Sequence, residues 1–363
     1  MKILWITARR MDTDLAASTE IGISKSLKDN GNILQFISPS KKILNNLPNI
    51  QIKYLKLKGL ETLSGGIYLN KKIFNKSINL HDYDLIFIDW RYVYSIRKEL
   101  IKNNLKWVII DRGPPAYSGI MAKLQTLLWK KSWKIANKKS IGGLVVSDNH
   151  KKYVKDNIPI NMKLYAVNAG TNTKKYDYKN KIGYEKIRFV YIGRIEKRRG
   201  LDCIHKLVKN LDHKKIDYTI ELYGQGRYLN NIKNNNYPKV VINEPVSRNE
   251  LPSILNKFHV GLMPMPDIDI WRIASPLKLV EYLAAGLIIM GPKHSGNMVN
   301  GIGEWPLLGS NEDWINEGID KILKISEDND WGKLAKNANE LSKDFDWEVI
   351  TKNMLGEILI WME

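Results

Sequence analysis

At 363 residues, 44% hydrophobic and 26% charged with 11 tryptophans, the chain suits two domains of about 150 to 200 residues and is no disordered or collagen-like polymer. A single cysteine, Cys203, excludes a disulfide-stapled scaffold and favours a reducing compartment. The formal charge of +19 lies wholly in the first half, where residues 1 to 180 hold 32 Lys and Arg against 13 Asp and Glu while residues 181 to 363 hold 25 of each; such a half attracts polyanions, be they nucleic acid, an anionic membrane surface or phosphate-bearing substrates.

The opening MKILWITARR is too short in apolar residues before its two arginines to be a signal peptide, and no apolar run reaches the roughly 20 residues of a bilayer span. A cytoplasmic protein is expected. Residues 3–8 predict a strand, and Ile21, Ile23 and Leu27 share one face of a helix over 16–30. Further strands are expected at 32–38, 83–89, 107–111 and 142–147, with helices over 92–102 and 119–139. Continuous β-branched and aliphatic runs alternating with helices indicate a parallel sheet covered on both faces. A polar stretch, 173–186, reads as a linker, and after it strands at 188–192, 219–224, 240–242, 259–264 and 287–291 repeat the pattern. Ser247 three residues before Glu250 is a capping-box signature for a helix start. The expectation is α/β: two tandem doubly wound, Rossmann-like domains, 1–172 and 187–345, with a ligand cleft between them and a last helix, 346–363, crossing back to the first.

Two stretches carry chemistry. In VYIGRIEKRRGLD (190–202) a strand ends at Gly193, which lets a ligand approach the backbone, and Arg194 and Arg199 bring guanidinium groups suited to paired hydrogen bonds with a diphosphate. In SPLKLVEYLAAG (275–286), Ser275 and Pro276 fit the N-cap and first position of a helix whose exposed amides favour phosphate. Lys278 and Glu281 lie one turn apart on one face of that helix: a cation for phosphates and a carboxylate to accept from ribose hydroxyls. A basic loop and an ordinary surface Lys–Glu pair are the alternatives.

These motifs, with LYGQGRYL (222–229), VSRNELPSILNKFHVGLMPM (246–265) and YAVNAGTNTKKY (165–176), stand in the order and approximate spacing of the GT-B glycosyltransferases, specifically the family 4-like group 1 enzymes, which the chain resembles over roughly 165–291. The resemblance implies a nucleotide-sugar donor, UDP- or GDP-linked, held by the second domain through Gly193, Arg194, Arg199, Ser275, Pro276, Lys278 and Glu281, with Arg199 in place of the usual lysine. Ile273 stands where the family has the first of two glutamates, a departure that bears on donor-sugar contacts and on retention of configuration. The resemblance implies transfer, retaining and without a metal or other cofactor, to an acceptor hydroxyl of a lipid-linked or surface glycan.

The acceptor side falls to the first domain. Asp111, ending a strand and followed by Arg112, is the candidate catalytic base if the enzyme inverts, with Arg194 and Arg199 stabilising the leaving group; Asp89, Arg112 and Asp14 are further acceptor-side candidates. Each carboxylate has the alternative of a structural pairing with a neighbouring arginine. Asp267 and Asp269 spell an Asp-x-Asp, the paired carboxylates that hold a divalent cation in metal-dependent transferases, but they stand in the second domain and no metal site is expected. His294 lies near the expected donor site on a polar loop. Leu124, Leu127, Leu128 and Ile135, with Trp129, Trp133 and six lysines, make 119–139 a basic amphipathic helix suited to an anionic membrane or, alternatively, to core packing. A basic nucleic-acid-binding or scaffold protein on the same fold is the rival reading, weakened by the lack of an aromatic platform or groove-reading motif.

Overall fold

The computed structural model describes all residues except 13, 15–16, 42, 44–46, 58–59, 116–118, 179–185, 299–307 and 311. The chain divides into two units, Met1–Asn168 with Trp347–Glu363, and Ala169–Asp346. The segment 173–186 belongs to the second unit, with 179–185 outside the described residues.

In the first unit the order is β1 (Lys2–Ile6), α1 (Ser18–Asp29), β2 (Ile33–Ser38), β3 (Asn49–Gln51), α2 (Glu61–Phe74), β4 (Leu85–Asp89), α3 (Trp90–Val93), α4 (Arg97–Lys102), β5 (Trp107–Ile110), α5 (Ile120–Lys139), β6 (Gly142–Val145), α6 (Asp148–Asn157) and β7 (Leu164–Ala166). All strand pairs are parallel, in the order β3-β2-β1-β4-β5-β6-β7. The fully buried pattern of β4, LIFID, and β5, WVII, is that of strands covered on both faces. The helix expected over 92–102 is broken into α3 and α4. The short edge strands β3 and β7 and the helices α2 and α6 escape the pattern reading; α2 carries Gly65 and Gly66 in its middle, and glycine costs about 1 kcal/mol in a helix interior. Those glycines bury against Tyr92 and Ser95, where an added Cβ at Gly66 meets the Ser95 Oγ at 2.2 Å.

The second unit runs β8 (Ile187–Ile192), α7 (Cys203–His213), β9 (Tyr218–Tyr223), α8 (Leu229–Asn234), β10 (Val240–Asn243), α9 (Leu251–Leu255), β11 (Val260–Leu262), α10 (Asp269–Arg272), α11 (Leu277–Ala284), β12 (Ile288–Pro292), β13 (Leu308–Gly309), α12 (Trp314–Glu327) and α13 (Trp331–Ser342). Its parallel sheet is ordered β10-β9-β8-β11-β12-β13. Alternation along β8 splits the core: Phe189 and Tyr191 join Leu207, Leu211 and Ile319 on one face, while Val190 packs with Leu255, Leu279 and Tyr282 on the other. The Ser247–Glu250 pair forms, the Glu250 carboxylate accepting from both the backbone N–H and the hydroxyl of Ser247.

The last helix, α14 (Trp347–Met362), lies in the first unit, against α1. Two glycines make room for its tryptophans: a Cβ at Gly22 lands 2.3 Å from the Trp347 ring, and one at Gly142 lands 2.2 Å from that of Trp361. Among the described residues no helix is long and apolar enough to cross a membrane.

Candidate donor site

In the second sheet the chain order reverses between β8 and β11, which is where doubly wound sheets open a crevice beyond the carboxyl ends of their strands. Gly193 follows β8 at φ +139°. The next strand's exit is pressed onto it: a Cβ at Gly224, itself at φ +154°, lies 1.9 Å from the Gly193 carbonyl oxygen. The 3₁₀ turn Lys197–Arg199 closes on Gly200 at φ +79°, whose missing Cβ would stand 1.8 Å from the Pro264 oxygen after β11. Two loops are thus held against each other by backbone contacts that only glycine permits.

Into this crevice the structure brings most of the sequence-predicted residues. Lys278, in the first turn of α11, places its Nζ 4.0 Å from the centroid of the Tyr191 ring, and an added Cβ on Gly193 would be 3.5 Å from it. That ammonium is buried with no hydrogen-bond partner among the described residues, and burial, reinforced by Arg199, pushes its pKa well down. Arg199 stacks its guanidinium 5.2 Å from the Trp271 ring and leaves its Nε buried and unpartnered. Arg194 is exposed; its backbone oxygen accepts from the Tyr191 hydroxyl at 2.9 Å. One turn along α11, the Glu281 carboxyl is raised to about 7 by burial, with Arg248 and then Lys278 pulling it back down.

Ser275 and Pro276 shift by one position from expectation. Pro276 is the N-cap of α11, without a side-chain cap, and the Ser275 hydroxyl instead accepts from the Ala169 N–H at 2.8 Å, tying the 165–176 motif to the helix start. No side chain therefore competes for the first-turn amides, which suits a phosphate. Arg248, Tyr176, Tyr191 and Trp271 are additions that sequence reading missed; Arg248 and Tyr176 lie inside quoted motifs but owe their place to the burial of Glu281, whose field both feel.

Other candidates are drawn elsewhere. The Arg272 guanidinium bridges Asp267 and Asp269, so the Asp-x-Asp is engaged by a neighbouring arginine, and among the described residues no three His, Cys, Asp or Glu side chains cluster as for a metal. Ile273 is buried at 5% exposure. His294 accepts from the Gly296 N–H at Nδ1, so Nε2 carries the proton and donates to the Met265 oxygen at 2.9 Å: a neutral ring bracing the loop, with its pKa lowered by burial.

In the first unit Asp111, the candidate base, sits among framework contacts. It is wholly enclosed, its Oδ2 accepting from Trp129 Nε1 at 2.5 Å and Trp133 Nε1 at 3.0 Å and its Oδ1 from the Gly113 N–H. His150 faces it at 3.6 Å, its pKa lowered by burial. With both oxygens already accepting and no exposed surface, this carboxylate is not open to a substrate. The same two tryptophans turn the inner face of α5 into core, while Leu124 and Leu127 are exposed and Leu128 and Ile135 are half-buried, so the apolar face expected there is divided between the protein and solvent. Asp89 caps α3 and pairs with Arg91 at 2.8 Å. Arg112 donates to the Val167 oxygen at 2.7 Å and to Thr19 Oγ1 at 3.1 Å; burial, then Arg9, lower its pKa to about 10. Asp14 is 40% exposed and lies 3.5 Å from Arg9; of its surrounding segment, 13, 15 and 16 lie outside the described residues. Arg9 and Glu20, neither singled out in sequence, complete this charged group at the carboxyl ends of β1 and β4; Glu20 is buried and its pKa raised by that burial.

Residues 186–328, which hold this crevice, match the family model described as glycosyl transferases group 1. The second unit is a group 1 glycosyltransferase domain. Across its whole length the chain is similar to solved structures of the GT-B fold. It superposes on sucrose-phosphate synthase from Thermosynechococcus elongatus (TM-score 0.73, 15% identity, 100% of both chains). It also superposes on Anabaena HepE in complex with UDP-glucose (0.70, 13%, 99% of both), and on WaaG, a glycosyltransferase involved in lipopolysaccharide biosynthesis (0.68, 12%, 98% of this chain and 99% of that). Among curated proteins none matches the sequence. The protein is a glycosyltransferase with two Rossmann-like units, and in this glycosyltransferase the glycine-lined crevice at the β8–β11 reversal is the candidate donor site.

Proposed function

We propose that this glycosyltransferase moves a sugar from a nucleoside-diphosphate sugar to a hydroxyl of a lipid-linked or surface glycan, with retention of configuration and without a metal. The observation that carries the reading is the buried, unpartnered Nζ of Lys278 beside Gly193, with the unpartnered Nε of Arg199 in the same crevice. A desolvated cation without an acceptor costs stability unless a ligand supplies the acceptor. A diphosphate does so, at an uncapped helix start. HepE holding UDP-glucose on the same fold supports this class of donor.

In the proposed reaction the bond from the anomeric carbon to the diphosphate oxygen breaks, and charge gathers on that oxygen. Lys278, Arg199 and the solvent-facing Arg194 stabilise it electrostatically. The acceptor oxygen bonds to the same face of the anomeric carbon, and its proton passes to the departing phosphate. Glu281 accepts from the ribose hydroxyls. The enclosed Asp111 weighs against the inverting alternative that needs it as base, and the match of the second unit to a transferase family weighs against a non-catalytic nucleic-acid-binding role.

Titrating the protein with UDP and GDP, with and without EDTA, and following donor turnover by the anomeric signals of the product tests the reading. Binding that weakens about 30-fold or more in Lys278→Met, persists in EDTA and precedes transfer with retention is expected. Donor binding that survives Lys278→Met together with Arg199→Ala, or transfer that needs a divalent cation, overturns it.

A further inference from the structure

Arg199 is one of the cations proposed to grip the diphosphate, yet the ligand-free fold works against its staying in place. It is half-buried, with its Nε enclosed and unpartnered, and it lies close enough to Lys278 for its charge to help push that ammonium's pKa down. Like charges repel, and a long side chain gains rotamer freedom by swinging into solvent. The contact that opposes this is the Trp271 ring, whose centroid lies 5.2 Å from the guanidinium carbon. At that range the ring quadrupole attracts a cation, and a planar guanidinium is the cation best shaped to stack on an aromatic face.

The ring is itself tied down. Its Nε1–H donates to the Arg198 oxygen at 3.3 Å, which joins it to the turn that carries Arg199. The end of α10 is pressed onto the turn after β12: a Cβ on Gly296 would lie 1.7 Å from the Trp271 oxygen, and the Ser295 hydroxyl donates to the Arg272 oxygen at 3.0 Å. The Arg272 guanidinium bridges Asp267 and Asp269. A helix of four residues cannot hold its shape by its own hydrogen bonds, so the Asp-x-Asp serves here as a staple on the short helix that presents the ring.

We propose that Trp271 is a positioning residue of the donor site, its ring face holding the Arg199 guanidinium beside Lys278 so that both cations meet one diphosphate. It touches neither the sugar nor the phosphates in this role and acts through Arg199. The proposal rests on the donor reading of the crevice given above.

Calorimetric titration of the full chain with UDP and GDP provides the test, in Trp271→Phe, Trp271→Leu, Arg199→Ala and the double variant Trp271→Leu/Arg199→Ala, with thermal melts to show that each is folded. Phenylalanine keeps a ring face, whereas leucine keeps only apolar bulk; should Trp271→Leu melt below the titration temperature, Trp271→Met takes its place. Trp271→Leu and Arg199→Ala are each expected to weaken nucleotide binding about tenfold, and Trp271→Phe to stay within about threefold of wild type. The double variant is expected to bind within about twofold of Arg199→Ala alone, because the ring has nothing left to position. Losses that multiply in the double variant, or leucine binding as tightly as phenylalanine, would overturn the role of Trp271 and leave the donor reading standing. Nucleotide binding indifferent to Arg199→Ala would overturn both.

Discussion

The ammonium of Lys278 rests 4.0 Å from the centroid of the Tyr191 ring and makes no hydrogen bond to any described residue. A cation over an aromatic face is attracted by the ring quadrupole, but that attraction replaces only part of the lost hydration. Under the proposed donor role the pair is held ready at a cost to the ligand-free fold, the kind of compromise between stability and function that removal of the charge exposes.

Lys278→Met is therefore expected to move two measurements in opposite directions. Without ligand, Tm rises by about 2–4 °C because a desolvated charge is gone; affinity for UDP falls by about 30-fold or more because a buried charge-assisted contact is lost. Calorimetry on the two proteins checks both. A fall in Tm with unchanged UDP affinity would assign Lys278 to the framework.

Glu281 gives the same site a pH signature. Its carboxyl is raised to about 7 from an ordinary 4.5, burial being the largest cause. The folded form thus keeps its proton where the unfolded form has released it. Each step in pH from 4.5 to 7 lowers stability, and the full loss is present above 7. Replacing the group by glutamine removes that loss: Glu281→Gln is expected to raise Tm by about 2–6 °C at pH 8 and to change it little near pH 4.5. Thermal melts across this range check the sign, and UDP affinity of the variant at pH 8 is expected to fall, since glutamine offers a weaker acceptor to ribose hydroxyls.

Asp111 is expected to behave as a framework residue. Asp111→Ala leaves the Trp129 and Trp133 indole N–H groups without their acceptor and costs about 2–6 kcal/mol, roughly 1–3 for each unsatisfied donor. Asp111→Asn, which keeps one acceptor oxygen, is expected to hold kcat within about tenfold at temperatures below its transition, whereas a general base contributes about 10²–10⁴-fold. A fully folded Asp111→Asn with kcat reduced a thousandfold would restore the catalytic reading.

Gly224 supports the donor loop from one strand away. Alanine there brings a Cβ to within 1.9 Å of the Gly193 oxygen at φ +154°, so Gly224→Ala is expected to destabilise by about 2–4 kcal/mol and to raise the KM for donor by displacing Gly193. Refolding titrations and donor saturation curves measure the two effects separately.

The strands of both sheets are legible because each core strand is buried on both faces, and an unbroken apolar run such as LIFID or WVII records that burial within a few residues. Gly193, Arg199, Lys278 and Glu281 stand out as candidates for a similar reason: a glycine turn, a cation beside it, and a Lys–Glu pair one helical turn apart are local patterns with a direct chemical reading. The helix α2 is not, because Gly65 and Gly66 weaken its helical pattern and are explained only by Tyr92 and Ser95 arriving from α3 and its exit.

What the sequence by itself determined is therefore the alternation of apolar strands and helices that builds two parallel sheets, and the two short motifs that hold Gly193, Arg199, Lys278 and Glu281, since each of these is written in residues a few positions apart. What only the tertiary structure decided is which charged groups are enclosed and which are open to a ligand. Asp111 reads as a candidate base until indoles 18 and 22 residues away close over it, and nothing near Lys278 in the chain shows that Tyr191, from β8, takes the place of its water. Desolvation is a sum over neighbours in space, and no local pattern in the chain carries that sum.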